Sequence, residues 1–157
     1  MYRRALIPLD GSMVAEAIIP FILEIAGPLD MQVPLLRVVV PVPPVVVEGS
    51  SYVVAEDVEK LRANAEKYLA SVAAELRDQG VRVTIQVRSG EAVTEILAGA
   101  REVEADLIAM TTHGRGGLGR LLFGSIAEAV LRQAEIPVFM MRQTKAEVAA
   151  RAAWAVR

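Results

Sequence analysis

The chain has 157 residues, 54% of them hydrophobic and 23% charged, a composition that folds rather than stays disordered, and its length suits one domain burying roughly 70% of its unfolded surface. The formal net charge is −2, so there is no basic excess to neutralise a nucleic-acid backbone. With no cysteine and a single histidine, disulfides, thiol catalysis and multi-histidine zinc sites are excluded.

Mean hydropathy is high, at +0.39, but the most apolar run, residues 38–47, is interrupted by Pro41, Pro43 and Pro44. It falls short of the ~20 residues a membrane span needs. Arg3 and Arg4 are followed by a short apolar stretch that ends at Asp10, too little for a signal peptide's apolar core. The expectation is a cytoplasmic protein with heavily buried strands and no membrane contact.

In chain order, residues 5–9 read as a first strand, closed by Asp10-Gly11-Ser12. A helix is expected from there to about Ala26, stopped by Gly27-Pro28. Residues 33–40 read as a second strand, followed by a proline-rich loop over residues 41–51. Beyond Val54, the apolar positions Val58, Leu61, Ala65, Leu69, Val72 and Leu76 recur at steps of three and four, a long helix ending at Gly80. Residues 81–88 alternate Val81, Val83, Ile85, Val87 with Arg82, Thr84, Gln86, Arg88, a strand wet on one face. A helix over about 91–103, a strand over 106–111, a glycine-rich loop over 113–124, a helix over 125–133 and a last strand over 136–141 complete the pattern. Residues 1–143 form the expected domain, and residues 144–157 an alanine-rich tail, helical or frayed.

Strands alternating with helices imply an α/β fold: a single open, mostly parallel five-stranded sheet with helices on both faces. In such sheets ligands bind at the carboxyl ends of the strands, where strand order reverses. Two loops at carboxyl ends stand out, the one opening at Asp10 and the one over 113–124. If the first and fourth strands are neighbours, these loops face each other.

The glycine loop carries Gly114, Gly116, Gly117, Gly119 and Gly124, with Arg115 and Arg120. Glycines let backbone N–H groups approach an anion, and the helix that follows adds unpaired N–H groups and a positive dipole end. The loop literally contains G-x-G-x-x-G from Gly114 to Gly119, but a dinucleotide fingerprint opens its helix directly and needs an acidic residue ending the next strand. Here the helix is expected about five residues later, and the strand ends in Met140-Met141-Arg142. Ser125 stands three residues before Glu128, so it reads either as the cap of its helix or as a phosphate ligand. Asp10 caps the first helix or accepts hydrogen bonds from sugar hydroxyls. His113 has no nucleophile or carboxylate in a catalytic pattern around it.

Together these residues resemble the universal stress protein family, in its adenine-nucleotide-binding branch, over residues 2–142. Ile7-Pro8-Leu9-Asp10-Gly11-Ser12 is similar to the family's first strand and turn, and Leu35-Leu36-Arg37-Val38 to its second strand. Residues 106–114 lead into the family's ATP pattern, G-x-x-G, nine residues, G-[ST]. Gly114, nine residues and Gly124-Ser125 fit it, while Thr111 stands at the first glycine and Ala127 where some relatives offer a hydroxyl. The resemblance implies a sheet in the strand order 3-2-1-4-5, the adenine nucleotide α-hydrolase-like arrangement. It implies that Pro8, Leu9 and Val38 border an adenine, that Asp10 binds the ribose and that Met110 lies near both. Thr111, Gly114, Gly124, Ser125 and Ile126 would hold phosphates, with Arg115 and Arg120 added on charge and position. The ligand would be ATP, ADP or AMP, with Mg²⁺ or Mn²⁺ held mainly by phosphates rather than by protein.

The implied function is a stress-response regulator acting as a nucleotide-dependent dimeric switch or sensor with an unidentified signalling partner. It is not expected to be an enzyme beyond slow ATP hydrolysis, since a P-loop lysine, a general base and an acidic metal cage are lacking. The alternatives are a slow ATP hydrolase or phosphoryl-transfer enzyme, and a nucleotide-free dimerisation module. The last strand, residues 136–141, is apolar on both faces yet lies at an edge in that order, so it is expected to pair with its copy in a homodimer. The loop over 41–51 is expected to be the most mobile stretch and to act as a lid.

Overall fold

The computed structural model describes residues 2–41, 46–47, 51–52, 58–112 and 124–142. Five parallel strands form the sheet: β1 (Ala5–Pro8), β2 (Gln32–Val39), β5 (Arg82–Ser89), β6 (Leu107–Thr112) and β7 (Val138–Arg142). Their order across the sheet is β5-β2-β1-β6-β7, the expected 3-2-1-4-5 when these strands are counted along the chain. Every pairing is parallel, with Ile7 opposite Leu35, Leu6 opposite Ile108 and Met110 opposite Met140. Because β1 lies between β2 and β6, strand order reverses there, and a crevice opens at the carboxyl ends of β1 and β6.

Among the described residues five helices flank the sheet: α1 (Met13–Glu16), α2 (Ile19–Ala26), α3 (Val58–Asp78), α4 (Ala92–Glu102) and α5 (Ser125–Gln133). On one face Ile18 and Ile22 join Leu69, Ala73 and Leu76 of α3 over Ile7, Val33 and Leu35. On the other, Val93, Ile96 and Ala100 of α4 meet Ala127 and Val130 of α5 over Leu6, Leu36 and Ile108. β1 is sealed on both sides, with Ala5, Leu6 and Ile7 all fully buried. This is why its sequence is a continuous apolar run rather than an alternation.

The single first helix expected to run to Ala26 is broken at Ala17 and Ile18. Pro20 occupies the second position of α2. It has no N–H, and its ring would collide with the Glu16 carbonyl one turn back, so α1 ends and α2 restarts where a proline is tolerated. The last strand starts two residues later than the spacing suggests, since Ile136 and Pro137 precede it; the Pro137 carbonyl still accepts a 3.0 Å hydrogen bond from the Ile108 N–H. Within the expected proline-rich loop, β3 (Val46–Val47) pairs antiparallel with β4 (Ser51–Tyr52). The proposed mobility of the rest of that loop, and the tail over 144–157, fall outside the described residues. No helix of the described residues is long and apolar enough to cross a membrane.

Candidate functional site

A cavity of about 400 Å³ occupies the crevice, within the range of small-molecule sites. Its apolar wall is built from β2 and α4, with Leu36, Val38, Val40, Ala92 and Ile96, and from Pro8, Leu9 and Met110 at the strand ends. Its polar end gathers Asp10, Ser12, Thr111 and Ser125 beside Gly124, Ile126 and Ala127 at the start of α5. Every expected site residue that the structure describes therefore lines one cavity: Pro8, Leu9, Asp10, Val38, Met110, Thr111, Gly124, Ser125 and Ile126. Gly114, Arg115 and Arg120 lie outside the described residues.

The turn after β1 is fixed by Asp10. Its Oδ1 accepts a 2.8 Å hydrogen bond from the Ser12 N–H, an Asx turn that needs Gly11 at φ +83°. Ser12, not Asp10, caps α1, its Oγ accepting from the Ala15 N–H at 3.1 Å. The capping reading of Asp10 is thus replaced by a turn-forming one. Burial pushes the Asp10 carboxyl up, but hydrogen bonds from the Ser12 side chain and backbone, with the Arg37 charge, outweigh it and hold it below its ordinary value. Asp10 enters the cavity as a carboxylate.

The capping-box reading of Ser125 is also corrected. The N-cap of α5 is Gly124, no side chain caps that end, and Ser125 is the first helical residue. Glu128 does not reach back either, because it pairs with Arg132 at 2.6 Å. Gly124 has φ −52° and ψ 138°, a conformation open to any residue, and a Cβ placed on it meets no described atom within 4 Å. Neither backbone strain nor packing among the described residues calls for glycine there. What glycine leaves is a bare approach to the first-turn N–H groups of a nine-residue helix. Across the crevice the Thr111 Oγ1 is shielded from solvent and makes no hydrogen bond among the described residues.

One residue near the site carried no assigned role in the sequence. Arg37, on β2, itself lines the cavity and lies over the Tyr68 ring at 5.9 Å. The Tyr68 hydroxyl donates to Glu16 Oε1 at 2.6 Å, and burial together with that carboxylate pushes its pKa well up. The signal is a lone cation among the apolar residues 33–39 of β2.

The fold and cavity define a doubly wound α/β protein with a ligand crevice at its topological switch point. Residues 1–142 match the model of the universal stress protein family, and the chain belongs to that family. It is 33% identical over 150 residues to universal stress protein MJ0531 of Methanocaldococcus jannaschii, covering 94% of this chain and 86% of that one. A universal stress protein family structure from Burkholderia pseudomallei superposes with a TM-score of 0.68 at 25% identity, covering 89% of this chain and 96% of that one. A family member from Arabidopsis thaliana, solved with AMP bound, superposes at 0.63 with 16% identity, covering 92% and 94%; at that identity the likeness is one of fold.

Proposed function

We propose that the chain binds an adenine nucleotide, ATP in the first instance, in the cavity between β1 and β6 and acts as a dimeric stress-response regulator. The observation that carries this reading is the cavity's polarity. An apolar wall that includes Val38 and Ile96 leads to an end where the α5 N-terminus and a carboxylate converge. A purine suits the wall, ribose hydroxyls suit Asp10 as an acceptor, and phosphates suit uncapped first-turn N–H groups. In this reading Pro8, Leu9, Val38 and Met110 border base and sugar, while Thr111, Gly124, Ser125 and Ile126, with Gly114, Arg115 and Arg120, take the phosphates. The AMP-bound relative supports the choice of ligand class. Among the described residues no group of three or more acidic or histidine side chains could hold a metal. In this reading a divalent ion arrives with the nucleotide, coordinated by phosphate oxygens and water.

The dimer uses β7. As an edge strand it leaves Phe139 41% exposed; the opposite edge, β5, leaves Ile85 39% exposed but alternates it with Arg82, Thr84, Gln86 and Arg88, polar side chains that protect that edge. Mass spectrometry of gently purified protein is expected to find a co-purifying adenine nucleotide. Calorimetry is expected to detect ATP with Mg²⁺, and a turnover assay to find at most slow hydrolysis. Absence of binding at millimolar ATP overturns the nucleotide reading, and turnover at rates typical of enzymes overturns the regulator.

A further inference from the structure

A second cavity, of about 550 Å³, lies on the α3 side of Asp10, and Asp10, Arg37, Val38 and Val40 line both it and the nucleotide cavity. Its other walls include Gly11, Asn64 and Tyr68. We infer that this cavity is an anion subsite built around Arg37, which takes a phosphate carried on a ribose hydroxyl of the bound nucleotide. The inference rests on the nucleotide reading above.

Arg37 is charged, and none of the ion pairs among the described residues includes it. Its Nη1 is shielded from solvent and donates no hydrogen bond within them. Its position is nonetheless held. The Tyr68 ring lies 5.9 Å from the guanidinium carbon, and the tyrosine is anchored by its hydrogen bond to Glu16. On the other side, a Cβ on Gly11 would lie 3.1 Å from Nη1, so the guanidinium packs against the turn that presents Asp10. A fixed guanidinium with no ion pair among the described residues matches the geometry of a phosphate.

The location selects the ligand. Asp10 and Arg37 stand together on the shared wall, and Asp10 takes ribose hydroxyls, so the substituent that reaches Arg37 is one carried by the ribose. When one hydroxyl is phosphorylated, Asp10 takes the other, and Arg37 offsets the repulsion between carboxylate and phosphate. The same division of labour, an acid for a free hydroxyl and an arginine for a phosphorylated one, is general in dinucleotide sites. Here both groups stand side by side. The ligand class is therefore an adenosine nucleotide phosphorylated at the 2′ or 3′ position.

The test is calorimetry on the full chain with AMP, adenosine 2′,5′-bisphosphate and adenosine 3′,5′-bisphosphate. These differ only in the ribose phosphate, and the two isomers tell which hydroxyl faces the subsite. One bisphosphate is expected to bind about tenfold or more tighter than AMP, as a charge-assisted hydrogen bond implies. Arg37→Gln is expected to remove that ratio. Arg37→Lys, which keeps the charge and loses the planar fork, is expected to reduce it. Arg82→Gln, at the opposite end of the sheet, is expected to keep it. Equal affinity for all three ligands overturns the subsite. So does a ratio that survives Arg37→Gln, or one that Arg82→Gln lowers equally, which would make it a matter of overall charge. If neither AMP nor ATP binds at all, the nucleotide reading fails and the subsite falls with it; AMP or ATP binding without a preference overturns the subsite alone.

Discussion

Replacing Gly124 separates binding from folding, because the residue has no structural work among the described residues. Its φ of −52° is ordinary, and an added Cβ meets no described atom. Removing a glycine from an unstrained position stabilises by about 0.4–1 kcal/mol through the unfolded chain. Losing glycine at an N-cap costs a similar amount. Gly124→Ala and Gly124→Val are therefore expected to unfold within about 1 kcal/mol of wild type by chemical denaturation. Binding responds differently. A branched side chain over the first turn of α5 blocks several N–H groups at once, so Gly124→Val is expected to abolish detectable ATP binding in calorimetry. Ser125→Ala removes one hydroxyl contact to a charged group, worth about 1.5–3 kcal/mol, and weakens ATP roughly 10- to 150-fold. A folded Gly124→Val that binds ATP like wild type would refute the assignment of phosphates to α5. A Ser125→Ala variant more damaging than Gly124→Val would show that the hydroxyl, not the bare helix end, carries the contact.

Asp10→Ala is expected to weaken ATP and adenosine by the same factor in calorimetry, since the contact is to the sugar; a loss confined to ATP would move Asp10 to the phosphates. Because the Asp10 carboxyl is held below its ordinary value of 3.8, its contribution to stability is fully present above that pH. It is lost as pH falls through the lowered folded value, and denaturation midpoints of Asp10→Asn against wild type across pH 2–6 should converge at the acid end. Phe139→Lys, at the exposed edge of β7, is expected to convert dimer to monomer in sedimentation velocity without loss of helical circular dichroism. Leu69→Ala, fully buried between α3 and the sheet, is expected to cost about 2–5 kcal/mol in urea unfolding.

The strand order, both helical faces and most of the cavity were legible because they follow from periodicity and from the switch-point rule. Val33, Leu35, Leu36 and Val38 could only be a strand covered on two sides, and the resemblance supplied its neighbours. What stayed hidden depended on single backbone atoms or on distant partners. The break at Pro20 was written in the sequence, and the missing N–H at that residue predicts it, but the apolar run through residues 17–26 outweighed it. The capping pattern at Ser125 and Glu128 was present as letters, while the chain enters α5 one residue earlier and Glu128 prefers Arg132. Arg37 was invisible as a functional residue, because its significance comes from Tyr68, which is thirty-one residues further along the chain and packs over it.

The polarity of the two cavities reduces to the parity of one strand. Side chains alternate along β2, so Leu36 and Val38 face α4 while Leu35 faces α3. Arg37, sharing the parity of Leu35, meets Tyr68 on the α3 side. Ile7 opposite Leu35 and Pro8 opposite Leu36 lock that register against β1, and the Leu9 N–H extends it with a 2.8 Å hydrogen bond to the Leu36 carbonyl. A slip of one residue would turn Arg37 towards α4 and Val38 towards α3, placing a cation where an apolar wall stands and leaving the second cavity without its guanidinium. The register that buries Leu35 and Leu36 on opposite faces is thus the same one that puts an apolar wall on one side of Asp10 and a guanidinium on the other. Core packing and ligand chemistry are one choice at this strand.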